Sequence, residues 1–323
     1  MLGRNSLPLD LQKGLYFIGT IWLGAMLYLT FWFLLTGAIY FSNRFLHFIP
    51  KTITPAVFRR IQAITGYAIV IIVLLFGYHK FTHPTLVEKE ITIHKPGGKH
   101  KDLKVVAFSD LHLGIAIDKK KLQKYIPLIN DQHPDLILFA GDMVDNNVLP
   151  LNVEKMHEEI NQLQAPLGVY MCLGNHEYLS GITSGMEFLR KTNITLLIDS
   201  VAQIDDSFWI IGRDDYQGNI LRKGLEELTA QTDVSQPLFL LDHEPYFLPA
   251  AEKTGIDLQL SGHTHYGQVW PINRIVDKVY EVGHGYKQKG NTHIYVTSGL
   301  GLWGPPFRIG TQSEIVVFNI HFN

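Results

Sequence analysis

Five times in this chain an apolar run of strand length ends on residues that bind metals. Leu103 to Phe108 leads into Ser109-Asp110-Leu111-His112-Leu113-Gly114. Later runs end at Gly141-Asp142, Gly174-Asn175-His176-Glu177, Asp242-His243 and Gly262-His263-Thr264-His265. Short apolar runs alternating with polar helical stretches argue for an α/β fold with buried strands. The ends of such strands are where open α/β sheets build their sites. Taken singly, Asp110-x-His112 reads as a turn cap and Gly174-Asn175-His176-Glu177 as a polar turn. Five in succession are better accounted for by one shared site.

The 323 residues leave room for one large domain and something smaller. A net charge of -2 with 18% charged residues describes no basic face for a nucleic acid. The sole cysteine, Cys172, excludes an internal disulfide framework and a Cys-rich zinc site. It lies in the apolar run before Gly174, where a buried, inert thiol is expected.

The smaller part comes first. Gly14 to Phe41 is 28 residues without a charge, long enough to cross a bilayer core of ~30 Å with some tilt. A cleaved signal peptide fits less well, because its apolar region is shorter and no small-residue cleavage pattern follows. Ile61 to Tyr78 is a second uncharged run, of 18 residues, flanked by Arg59-Arg60 and His79-Lys80. Residues 1–80 therefore read as an anchor with two transmembrane helices, about 14–41 and 61–78, and residues 81–323 as the large domain. The loop between the helices carries Arg44, Lys51, Arg59 and Arg60 with no acid. The N-terminal tail has only Arg4 and Lys13, and beyond Tyr78 the bases Lys80 and Lys89 are offset by Glu88 and Glu90. The positive-inside rule then puts the loop in the cytoplasm and the large domain on the extracytoplasmic side.

That domain opens with an alternating piece, Leu86 to Ile93, followed by the turn Pro96-Gly97-Gly98. It reads as an edge strand and a hairpin. The C-terminal third carries several strands with few helices between them, which suggests a second, more antiparallel sheet packed on the first.

Together, Asp110-x-His112, Gly141-Asp142, Gly174-Asn175-His176-Glu177, His243 and Gly262-His263-x-His265 closely resemble the motifs of the calcineurin-like metallophosphoesterases. The resemblance covers about residues 81 to 323. Within that superfamily the chain looks most like the membrane-associated bacterial branch that includes the YkuE and YaeI phosphodiesterases. Ser261 to Gln268, Ser298-Gly299-Leu300-Gly301, Pro305-Pro306-Phe307-Arg308 and Glu314-Ile315 carry the closer likeness. Two departures stand out: Tyr266 where that branch usually has glycine, and Glu244 where asparagine is common.

The resemblance implies a two-sheet β-sandwich flanked by helices, here preceded by the two membrane helices, and a pair of divalent metals. Two such metals supply a nucleophile at neutral pH and neutralise phosphoryl oxygens. It implies Asp142 as the shared ligand, with Asp110, His112 and His265 on one metal and Asn175, His243 and His263 on the other. His176 is left for protonating the leaving oxygen. Oxygen and imidazole ligands suit manganese first, or iron, zinc or cobalt, rather than calcium. Glu177 either orders His176 or caps the following helix. Asp145 reads as a loop carboxylate and His284 as a surface histidine. Arg308, whose fork matches phosphate oxygens, and Tyr266 are candidate substrate contacts. Trp303 and Phe307 line either a lipid-facing mouth or the core.

The expected function is a membrane-anchored hydrolase of a phosphodiester or pyrophosphate, with a lipid-linked or envelope substrate. The opposite orientation would suit a cytoplasm-facing enzyme like the UDP-diacylglucosamine pyrophosphate hydrolases of lipid A synthesis. A silent scaffold is the remaining reading, disfavoured by the complete ligand set. Orientation separates the first two. Alkaline phosphatase fused after Asn323 is expected to be active, while a reporter that matures only in the cytoplasm stays dark. Neutralising Arg44, Lys51, Arg59 and Arg60 should weaken or invert that pattern. A dark phosphatase with a bright cytoplasmic reporter on the unmodified chain would refute the orientation.

Overall fold

The computed structural model describes residues 7–323; Arg4, counted in the charge comparison above, lies outside them. The described residues divide into two compact units, 7–82 joined by 304–309, and 83–303 joined by 310–323.

The first unit is built on two helices, α1 (Leu9–Leu46) and α2 (Pro55–Thr82). Both are long and apolar enough to cross a membrane. α1 extends past the uncharged run at both ends and stops where His47 turns left-handed and donates its N–H to the Asn43 carbonyl. α2 starts on a proline, whose missing N–H has no partner to lose at a first helical position. The helices meet where Gly66 lies flat against the Trp32 ring. The Trp32 indole donates to the Gln62 carbonyl at 2.9 Å, and the Gln62 amide donates to Thr36 Oγ1 at 2.5 Å. Most of the remaining large side chains point outward, Ile18, Leu34 and Ile72 among them. Residues 304–309 belong to this unit. Phe307 packs against Gly24, the Arg308 N–H donates to the Gly77 carbonyl, and the Tyr16 hydroxyl donates to the Gly304 carbonyl. Sequence alone offered no sign that the chain returns here.

The second unit holds twelve strands among the described residues. The first six are β1 (Thr85–Ile93), β2 (Asp102–Phe108), β3 (Leu136–Ala140), β4 (Val169–Cys172), β5 (Thr195–Leu196) and β6 (Ser200–Ile204). There follow β7 (Phe208–Gly212), β8 (Leu238–Leu241), β9 (Leu258–Ser261), β10 (Gly285–Lys289), β11 (Thr292–Val296) and β12 (Glu314–Phe322). They form two mixed six-stranded sheets, ordered β1-β12-β2-β3-β4-β5 and β10-β11-β9-β8-β7-β6. Continuous burial of β3 and β8 matches their unbroken apolar sequences, as expected of parallel strands covered on both faces; β9 is as deeply buried but carries Gln259 and Ser261, whose side chains bond each other at 3.1 Å.

One expectation needs correction. β1 is an edge strand, but it forms no hairpin with β2: the last strand, β12, runs between them, parallel to β1 and antiparallel to β2. Nearly every residue of β12 is buried, so it needs neighbours on both sides, and the Pro96-Gly97-Gly98 turn joins strands that are not adjacent. The second sheet is, as expected, the more antiparallel of the two, with two antiparallel pairings against one in the first. Its central strands β7, β8, β9 and β11 run parallel, with antiparallel partners only at the two edges.

The sheets share one core, in which Val105, Leu138 and Phe318 of the first meet Phe208, Phe239 and Leu260 of the second. Phe318 is fully buried and sets its ring edge-on to Tyr295 at 5.7 Å. Phe318→Ala leaves a cavity in the strand on which both β1 and β2 depend. It should cost about 3–5 kcal/mol in denaturant unfolding; a loss under about 1 kcal/mol would mean that β12 is not central.

Candidate metal centre

β2, β3 and β4 are adjacent and parallel, and so are β8 and β9 in the facing sheet. Their C-terminal ends therefore lie together, and the residues that follow them meet. Asp110 and His112 come after β2, Asp142 after β3, Asn175 and His176 after β4, His243 after β8, and His263 and His265 after β9. All seven residues expected to hold metals converge there, with His176 beside them.

The turns that carry them are strained. Asp110, His112, Asp142, His263 and His265 all have positive φ, between 49° and 69°. This region costs roughly 1–2 kcal/mol per non-glycine residue, least for Asp, Asn and His. Backbone hydrogen bonds between loops hold the turns in place: Asp110 N–H to the Gly141 carbonyl, His112 N–H to the Asp142 carbonyl, and Gly262 N–H to the His243 carbonyl. Two glycines are required by contact. A side chain at Gly174 would strike Asp142, and one at Gly262 would strike Ser109 and Asp110.

Asp110, His112 and His265 present ligand atoms within 4.8 Å of one another, as do Asp110, Asp142 and His243. Asn175 Oδ1 lies 3.3 Å from His243 Nε2 and 3.2 Å from His263 Nδ1. Asp142 Oδ2 stands between the two sets, 3.6 Å from His112 Nε2 and 3.2 Å from His243 Nε2. Burial opposes both aspartate charges, yet the imidazoles of His265, His112 and His243 hold Asp110 well below the usual carboxylate range, and those of His243 and His112 do the same for Asp142.

The donor set fits divalent cations. His243 Nδ1 lies 2.7 Å from the Ala140 carbonyl, which can only accept, so Nδ1 carries a proton and Nε2 faces Asp142 and Asn175 at 3.2 and 3.3 Å, where a cation can take its lone pair in place of a second proton. His112 and His265 bring their Nε2 atoms to 3.0 Å, an approach at which at most one can be protonated comfortably. Buried lone pairs and carboxylates aimed at common points are what a cation satisfies.

His176 differs from these. Its Nδ1 donates to the Asp145 carbonyl at 2.8 Å, which leaves Nε2 as the reactive nitrogen. Burial, then the neighbouring His112, lowers its affinity for a proton. Its ligand atom also falls within reach of a set with His112 and Asp142, so distance alone does not separate it from the ligands.

The family comparison agrees with this geometry. The sequence profile of the calcineurin-like phosphoesterases matches residues 103–267. A metallophosphoesterase of Campylobacter jejuni is 34% identical over 72% of this chain and 62% of its own length. YkuE of Bacillus subtilis is 35% identical over 76% of this chain and 89% of its own. The chain belongs to the calcineurin-like phosphoesterase family. A zebrafish relative named as a transmembrane protein with a metallophosphoesterase domain is 30% identical over 79% of this chain, which spans 61% of that relative. The chain thus covers slightly under two thirds of some relatives and most of others.

Several residues of this family member have parts that sequence did not assign. Asp145 is buried, not a free loop carboxylate; its backbone orients His176. His284 is no simple surface histidine, since its Nε2 lies 3.2 Å from Glu314 and its ring stacks on Tyr266 at 4.9 Å. Tyr266 is accordingly turned to His284 and Asp277 and does not line the cavity at the site. Arg308 is fully buried in the helical unit and is likewise outside that cavity. Asp242 is taken by Arg213 at 2.9 Å and Arg222 at 2.7 Å. Cys172 is buried, and burial pushes its thiol well up, as an inert group requires.

Glu177 has the largest unassigned part. Fully buried, it accepts from the N–H groups of Asp142, Met143, Val144 and Gly174 at 2.8–3.1 Å. It therefore caps its own helix and also clamps the turn that carries Asp142. Burial and the nearby Asp142 charge push its carboxyl up to about 7, against the pull of the N–H groups. Glu177→Gln replaces one acceptor by a donor that faces N–H groups. It should lower stability by roughly 2–4 kcal/mol and reduce bound metal by elemental analysis. Wild-type values of both would remove Glu177 from this role.

Proposed function

We propose that this chain is a membrane-anchored, dinuclear-metal phosphoesterase that hydrolyses a phosphodiester or pyrophosphate. The position of Asp142 between two sets of ligands carries the reading, because a carboxylate with a cation on either side is what pairs two metals. Asp110, His112 and His265 would hold one ion, Asn175, His243 and His263 the other, with manganese favoured over iron, zinc or cobalt. When bound, such a pair supplies a nucleophile at neutral pH and charge for the phosphoryl oxygens.

The chain's own residues do the rest. Asp142 Oδ1 accepts the His176 N–H at 2.8 Å, so the shared ligand also fixes where the imidazole starts. The Asp145 carbonyl holds the ring with Nε2 free, and a proton carried there can pass to the leaving oxygen. Expulsion of a poor leaving group needs that proton most.

The two apolar helices, and the relative named as a transmembrane protein, support a membrane location. Only two residues separate the end of α2 from the start of β1. A domain tethered so closely favours substrates that live at the membrane, lipid-linked or part of the envelope, and the charge bias puts it on the extracytoplasmic side.

Two variants test the division of labour. Asp142→Asn removes a negative charge shared by two cations, so metal content and hydrolysis of a bis-phosphodiester should both collapse. His176→Ala should keep its metals and lose about 10²- to 10⁴-fold in turnover, least with good leaving groups. Two ions per chain and near-normal turnover in Asp142→Asn would sink the proposal; loss of metal in His176→Ala would make His176 a ligand.

A further inference from the structure

The cavity at the site, of about 300 Å³, has two unlike walls. One carries Asp142, Asn175, His176, His263 and His265; the other carries Ile272, Val276, Tyr280 and Trp303. No lysine or arginine lines it. The apolar wall is organised by one helix, Asn273–Val279, because Ile272, Val276 and Tyr280 recur every four residues along one side of it and its flanks. The backbone of Trp303 is held by a hydrogen bond from the Gln268 amide to its carbonyl at 2.9 Å. Just beyond the wall, Ile275 and Val279 are 59% and 63% exposed. Apolar side chains of this one helix and its flanks therefore lie both in the cavity and at the solvent-exposed surface.

We infer that the non-reacting part of the substrate is a hydrocarbon chain, and that it lies along Ile272, Val276 and Tyr280 against Trp303. The inference deepens the phosphoesterase reading and rests on it. The phosphoryl group meets the charged wall, and whatever it is esterified to meets the other. A nucleotide or sugar there would turn polar groups to Ile272 and Val276, which cannot pair with them, and among the described residues no lysine or arginine lines the cavity to clamp a second phosphate. Methylene groups lose nothing at such a wall, and each one buried is worth up to roughly 4-fold in binding.

The test uses the full chain in detergent with manganese and p-nitrophenyl phosphodiesters whose second ester is methyl, butyl or octyl. kcat/KM is expected to rise at least ~10-fold from methyl to octyl. Ile272→Ser and Trp303→Ala, at 40% and 50% exposed positions where folding tolerates change, should each bring the octyl-to-methyl ratio down to within about 3-fold of unity. Every variant shares the same micelle, so a preference that survives both substitutions belongs to the detergent and overturns the inference. Equal rates for all three esters on the wild-type chain overturn it as well, while leaving the phosphoesterase reading intact. Hydrolysis of none of them, with metal bound, defeats that reading and this one with it.

Discussion

One buried carboxylate ties the site together. Glu177 gathers N–H groups from the turn after β3 and from the turn after β4, and so holds Asp142 in a left-handed conformation that it would not keep alone. The need for such a clamp follows from the site itself. Two acids and several imidazoles must be buried with their lone pairs convergent, which places five residues at positive φ and leaves charges far from water. The parallel strands bring the turns to one edge. Glu177, the cross-loop backbone bonds, and glycines at 174 and 262 then make the strained arrangement the only one that fits.

The candidate ligands were legible in sequence because each follows a short apolar run, and because parallel strands put their ends on the same side. Their convergence required only that the order of strands bring β2, β3 and β4 together, and β8 and β9 opposite them. Glu177 was half legible: its spacing from Gly174 marks a helix cap, but nothing local says that the same oxygens also serve Met143 and Val144. Asp145 was missed because it contributes a backbone carbonyl, and side-chain chemistry carries no signal for that. The hairpin expectation failed for a related reason. A turn with Pro96 and two glycines is a local feature, whereas the insertion of β12 beside β1 is decided more than 200 residues later by how much of β12 must be buried.

The helical unit shows the same division. Length and the absence of charge marked both apolar helices, and these signals need no partner. Residues 304–309 carry no such mark, yet Phe307 fills the space that Gly24 leaves and Ile309 that at Gly77. Small residues in apolar helices are where other backbone approaches closely, so Gly24 and Gly77 were the available hints. They specify that something packs there without saying what.

Tyr266 brings these threads to the cavity. Glycine, usual at this position in the branch the sequence resembles, would adopt its φ of 47° at no cost, and tyrosine does not. The offset is visible in what the ring reaches: it stacks on His284, which is itself bonded to Glu314, and its hydroxyl lies 3.4 Å from Asp277 on the Asn273–Val279 helix. The side chain named from sequence as a candidate substrate contact is turned to His284 and Asp277. It reaches instead the helix that, with its N-terminal flank, supplies Val276 and Ile272 to the cavity. A change one residue from the candidate ligand His265 thus bears on the helix beside the cavity, and leaves the candidate ligands where the turns put them.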